Sequence, residues 1–133
     1  MIKEAKLHHV GYVVADIRQT ARLFAYYGYQ ADNILFDEKL NVELCYLRKS
    51  DTVAIELVHQ LQTESLESKL FRISGVMPYH LCYEVTNFDE ACKEMGTMDF
   101  QSLFDPVSVE VLENKRICYF HHPAMGYIEL LEK

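Results

Sequence analysis

The chain has 133 residues, with 13 Lys and Arg against 20 Asp and Glu and a formal net charge of −7. At 50% apolar and 25% charged residues it reads as one ordinary globular domain, which excludes a disordered chain, and its acidic balance argues against non-specific binding to nucleic acid. No apolar run reaches the roughly 20 residues that cross a bilayer, and the segment from Met1 to Lys6 lacks the apolar stretch of a signal peptide. Cys45, Cys82, Cys92 and Cys118 show no C-x-x-C spacing, so zinc ribbons and thioredoxin-type sites are excluded and a reduced, cytoplasmic setting is expected.

In chain order, Leu7–Val14 alternates and is rich in β-formers, so it predicts a strand. Asp16 followed by Gln19 has capping-box spacing, and the helix it opens is expected to run to about Tyr27 and stop at Gly28. Short strands are predicted at Asn33–Phe36, Val42–Leu47 and Val53–Val58. The connection that follows holds one short amphipathic helix over Thr63–Ile73. A strand at Tyr79–Val85 leads to Asn87 and Glu90, again at capping-box spacing, and to a helix ending near Met95 at Gly96. Strands at Gln101–Phe104, Arg116–His121 and Tyr127–Leu131 complete the chain.

The second half repeats the first. Laid over one another at an offset of 71, residues 7–30 and 78–101 match at His9 and His80, Tyr12 and Tyr83, Val14 and Val85, and Gln30 and Gln101. Residues 44–58 and 117–131 match at an offset of 73 without a gap, with Cys45-Tyr46 on Cys118-Tyr119 and Ile55-Glu56-Leu57 on Ile128-Glu129-Leu130. The fold class is therefore α+β, built from two βαβββ modules. Module one spans about residues 5–60, the linker with its helix about 61–76, and module two about 77–133, within a single domain of residues 1–133.

Strand residues two apart share a face. His9 and His80 stand at matched places in the first strand of each module, and Glu56 and Glu129 lie among Ile, Leu and Val in the last. Taken singly, each of the four is ordinary. Taken together, the repeat pairs two imidazoles with two carboxylates buried in apolar runs, where an unpaired charge is costly. Such a set balances one divalent cation and suits Zn, Ni, Co, Mn or Fe. Four protein donors also leave positions open for water or substrate, as catalytic sites do.

The segments LHHVGYVVADI, VAIELV, PYHLCYEVTNFDEA and NKRICYFHHPAMGYIELLE, in this order and duplicated, resemble the vicinal oxygen chelate superfamily along essentially the whole chain. That superfamily includes glyoxalase I, methylmalonyl-CoA epimerase, extradiol dioxygenases and the bleomycin-resistance proteins. The resemblance implies an open, curved, eight-stranded mixed sheet and a homodimer. It implies metal ligands at His9, Glu56, His80 and Glu129, with one divalent ion (Ni, Zn, Co or Mn) as cofactor. It also implies proton transfer next to a carbonyl through an enediolate, on a small thiol adduct or thioester, with no nucleic-acid or membrane partner. A ligand carboxylate can serve as the base, and Glu129 comes first and Glu56 second. Glu43, on the face shared with Cys45 and Leu47, is the third catalytic candidate, because epimerases carry a catalytic Glu at a similar place. Arg116 occupies the matching repeat position as a candidate for an anionic substrate group. His122, before Pro123, is a candidate for the substrate mouth or a plain turn.

The two-His, two-Glu set resembles glyoxalase I, a lactoylglutathione lyase, and makes a lyase of that type the first expectation. Methylmalonyl-CoA epimerases often carry Gln where Glu56 stands, and epimerase-like racemisation of an acyl-CoA is the second. The third is a metal-free ligand-binding protein of the drug-resistance type, whose usual mark is a lost ligand. A dioxygenase, with two His and one carboxylate, is disfavoured by the fourth ligand.

Overall fold

The computed structural model describes residues 1–2 and 4–133; Lys3, within the N-terminal segment examined for a signal peptide, lies outside the described residues. Among the described residues there are ten strands and three α-helices, and none of these helices is long and apolar enough to cross a membrane. The chain divides into two compact units, His9–Tyr79 and Met1–His8 with His80–Lys133.

The first unit contains most of β1 (Lys6–Val13), then α1 (Ile17–Ala25), β2 (Gln30–Ala31), β3 (Leu35–Asp37), β4 (Val42–Arg48), β5 (Ala54–Gln60) and α2 (Leu66–Ser74). β1 pairs with β5 in parallel, β5 with β4 antiparallel, and β2 and β3 each with β4. Asp16 caps α1 as its spacing predicts, accepting a hydrogen bond from the Gln19 N–H at 3.1 Å. Gly28 adopts φ +90° just past the helix, a conformation that suits glycine. One face of this sheet carries Cys45, Leu47, Ile55 and Leu57, which pack with Val14 and Ile17 into an apolar core.

The second unit contains β6 (Met77–Val85, from His80), α3 (Phe88–Thr97), β7 (Gln101–Ser102), β8 (Val107–Val109), β9 (Lys115–His122) and β10 (Gly126–Glu132). β6 pairs with β10 in parallel, β10 with β9 antiparallel, and β7 and β8 each with β9. Its core joins Val85, Phe88, Ala91, Met95, Cys118, Phe120, Ile128 and Leu130. The chain's first residues belong here: Ile2 packs on this core, and Thr86 Oγ1 donates to Glu4 at 3.0 Å.

Three local expectations change. Ten strands replace eight, because each module's second strand is two short pieces that pair with different stretches of one neighbour. β2 meets Leu47 and Arg48 while β3 meets Val42 to Leu44, and β7 and β8 divide β9 in the same way. Gly96 does not end α3, which continues to Thr97; the left-handed residue is Asp99 at φ 65°. The offset of 71 lays Gly28 on Asp99, so the repeat itself marked that stop. Asn87 makes no side-chain cap to α3, unlike its counterpart Asp16.

Candidate functional site

In the first unit the register sets His9 opposite Ala54 and Gly11 opposite Glu56, so period-two alternation brings the His9 and Glu56 side chains to one face of the sheet. Their Nε2 and Oε1 atoms lie 3.3 Å apart, with the side chains 2% and 7% exposed. Tyr46, directly across from Glu56 on β4, meets the His9 ring edge-on at a centroid distance of 5.4 Å. The opposite face is the apolar core against α1, so the polar pair and the helix occupy different sides of this sheet.

The second unit repeats the arrangement. Tyr127 pairs with His80 and Glu129 with Cys82, which places His80, Cys82 and Glu129 on one face. His80 Nε2 and Glu129 Oε1 lie 3.2 Å apart with side chains 0% and 5% exposed. Tyr119 is directly across from Glu129, and its ring lies 5.2 Å from that of His80. Each module thus builds one buried imidazole–carboxylate pair braced by a tyrosine. The expectations for His9, Glu56, His80 and Glu129 rest on these two pairs. From the sequence alone, Tyr46 and Tyr119 read as core or module-interface residues. Their matched places in the repeat, together with the antiparallel pairing, were the signal for their position beside the pairs.

Glu43 lies elsewhere. It pairs across the strands with His59, and alternation puts it on the α1 side with Cys45 and Leu47, away from Glu56. Its carboxylate meets His59 Nδ1 at 3.1 Å, with both side chains about one third exposed. The period of the strand turns Glu43, the third catalytic candidate, from the His9–Glu56 face of this unit.

The repeat explains Glu43 as a cross-strand partner. At an offset of 73, Glu43 and His59 fall on Arg116 and Glu132. Arg116 donates through Nη2 to Glu132 at 2.9 Å and through Nη1 to Asp89 at 3.0 Å. The same rung is held in both modules, with the acid on the opposite strand. The guanidinium lowers the pKa of both acids, first by hydrogen bonding and then by charge, and its own pKa is raised by the same bonds. Arg116 is thus saturated by protein carboxylates, which corrects its expected role with an anionic substrate group. His122 serves its turn, with Nδ1 accepting from the Ala124 N–H at 2.9 Å.

The cysteines differ among themselves. Burial raises the Cys45 thiol. In the second unit the Cys92 and Cys118 thiols act on one another, which raises Cys92 and lowers Cys118 to about 7. Cys45 and Cys118 sit on the core side of their sheets, apart from the imidazole–carboxylate faces, and Cys92 packs on the second core from α3.

Residues 8–119 match the family model of the Glyoxalase/Bleomycin resistance protein/Dioxygenase superfamily. No curated protein sequence matches the chain significantly. Among solved structures, a methylmalonyl-CoA epimerase from Mycobacterium tuberculosis has a TM-score of 0.80 at 21% identity, covering 95% of this chain and 86% of its own. An epimerase of the same kind from Streptomyces coelicolor, in complex with 2-nitronate-propionyl-CoA, has a TM-score of 0.82 at 19% identity, covering 96% of both chains. A hypothetical protein from Bacillus halodurans C-125 has a TM-score of 0.83 at 21% identity, covering 98% of this chain and 96% of its own. At these identities the structures share the fold, and the family match extends over most of the sequence. With two βαβββ modules that each bury a matched His–Glu pair, the chain belongs to the Glyoxalase/Bleomycin resistance protein/Dioxygenase superfamily.

Proposed function

We propose that the chain is a divalent-metal-dependent enzyme that moves a proton at a carbon next to a carbonyl in a small thiol-linked substrate. His9, Glu56, His80 and Glu129 are the residues that would hold the ion. The observation that carries this reading is the duplicated, buried imidazole–carboxylate pair. The donor chemistry fits a borderline divalent cation such as Ni, Zn, Co or Mn: two neutral imidazoles and two carboxylates balance its charge. Carboxylates this deeply buried also need a compensating charge, which a cation supplies. When bound, the ion would act as a Lewis acid on the substrate carbonyl oxygen.

The remaining work falls to the chain. Glu129 is the first base: its carboxylate takes the proton from carbon and returns it, and its burial keeps bulk water from competing for that proton. Glu56, its counterpart, is the second. Tyr119 and Tyr46 pack against the two imidazoles and limit their rotation. The two modules act as one domain in this reading.

A short acyl-CoA thioester is the first substrate class, supported by the shared fold of the epimerases, one of them in complex with an acyl-CoA analogue. A hemithioacetal, the glyoxalase I reaction, is the second reading, favoured by a carboxylate at Glu56. Metal analysis of protein purified without a His tag is expected to find one divalent ion per chain, lost in Glu129→Gln. Solvent deuterium is expected to enter the substrate carbon of either an acyl-CoA or a hemithioacetal in D₂O, and the substrate that exchanges decides the branch. Absence of stoichiometric metal, or of exchange in both classes, would overturn the reading in favour of a ligand-binding protein.

A further inference from the structure

The geometry points to a second binding site, for a phosphorylated small molecule, in the groove between α1 and the β2–β3 segment of the first unit. This open groove has a volume of about 580 Å³ and is lined by Arg18, Arg22, Asp32, Asn33, Ile34 and Cys45, among others. It lies on the α1 side of the sheet, whereas His9 and Glu56 share the other face. It is therefore separate from the residues of the reaction proposed above.

Arg18 and Arg22 are four residues apart, so they stand one above the other on the helix. Both are exposed, and neither holds a carboxylate among the described residues. The nearby acids are engaged. Asp32 accepts from Arg48 Nε at 2.7 Å, and Asp16 caps the helix through Gln19. Two uncompensated guanidiniums thus face one groove in a chain whose net charge is −7.

The placement of Arg18 opposes the local helix energetics, whereas Arg22, in the last turn, is favoured by them. A cation in a first turn works against the helix dipole. α3 follows the rule, with Asp89 and Glu90 in its first turn, and Asp89 is held by Arg116. The repeat lays Arg18 on Asp89, yet α1 has no acid in its first turn. Glu43, the counterpart of Arg116, is bound to His59 instead. A bound oxyanion supplies the missing charge. Two guanidinium forks one turn apart suit a diphosphate or a phosphate dianion, and Asn33 lines the β2–β3 side of the groove. The groove's volume falls within the range of small-molecule sites.

The test is a titration of the ¹⁵N-labelled full chain at low salt with inorganic pyrophosphate, ADP and adenosine, followed by amide shifts. Pyrophosphate and ADP are expected to give saturable shifts in residues 17–22 and 31–34, and adenosine none. The double variant Arg18→Gln, Arg22→Gln is expected to weaken ADP binding at least about tenfold, whereas Lys6→Gln, which removes one exposed charge elsewhere, leaves it unchanged. Shifts that do not saturate, fall outside the groove, persist in the double variant, or decline equally in Lys6→Gln would overturn the proposal.

Discussion

At the residue scale, the same rung of the sheet carries opposite chemistry in the two modules. Arg116 with Glu132 and Asp89 is an ion-paired cluster; Glu43 with His59 is a lighter pair at the matching place. The sign of its pH dependence follows from the lowered carboxyl pKa values. A carboxyl whose pKa is depressed by folding adds stability above its ordinary value, and that stability is lost as pH falls through the depressed one. For Asp89 and Glu132 the loss begins below the ordinary values of 3.8 and 4.5. Arg116→Gln is expected to lower the unfolding midpoint at pH 7 and to reduce the difference between pH 7 and pH 3. Denaturant melts at the two pH values measure both. Because these groups are solvent-exposed, the effect should shrink in high salt.

At the element scale, α1 and α3 occupy equivalent places but end differently. Asp16 makes its cap, so Asp16→Ala is expected to cost about 1 kcal/mol. Asn87 makes no side-chain cap, so Asn87→Ala is expected to stay within roughly 0.5 kcal/mol. Gly96 lies inside α3 with nothing within 4 Å of an added Cβ, and Gly96→Ala is expected to stabilise by about 0.5–1 kcal/mol. Thermal or urea unfolding of the three variants tests the set. A large loss in Asn87→Ala or Gly96→Ala would contradict the helix ends described above.

At the scale of the whole molecule, each unit has its own apolar core and buries its own His–Glu pair. If one divalent ion draws on both pairs, it binds the folded chain and not the unfolded one, whose ligands are dispersed. Metal at about 100 times its dissociation constant is then expected to add about 2.7 kcal/mol to stability. Calorimetric scans with and without a chelator measure this, and an unchanged midpoint would contradict the metal reading. Glu129→Gln is expected to abolish the metal-dependent part of the shift.

The sequence by itself determined the two-module α+β plan and the superfamily. A repeat at near-constant offset and period-two alternation survive wherever one face of a strand is buried. Those signals also singled out His9, Glu56, His80 and Glu129, since an acid or imidazole inside an apolar run stands out against its neighbours. Only the tertiary structure decided the register. Register sent Glu43 to the face of His59, set Tyr46 and Tyr119 across from the two glutamates, and filled Arg116 with protein acids. Among the described residues, it also left Arg18 and Arg22 without acids. These outcomes depend on which residues of different strands and helices meet, and spacing along one chain carries that information only where the repeat happens to copy it.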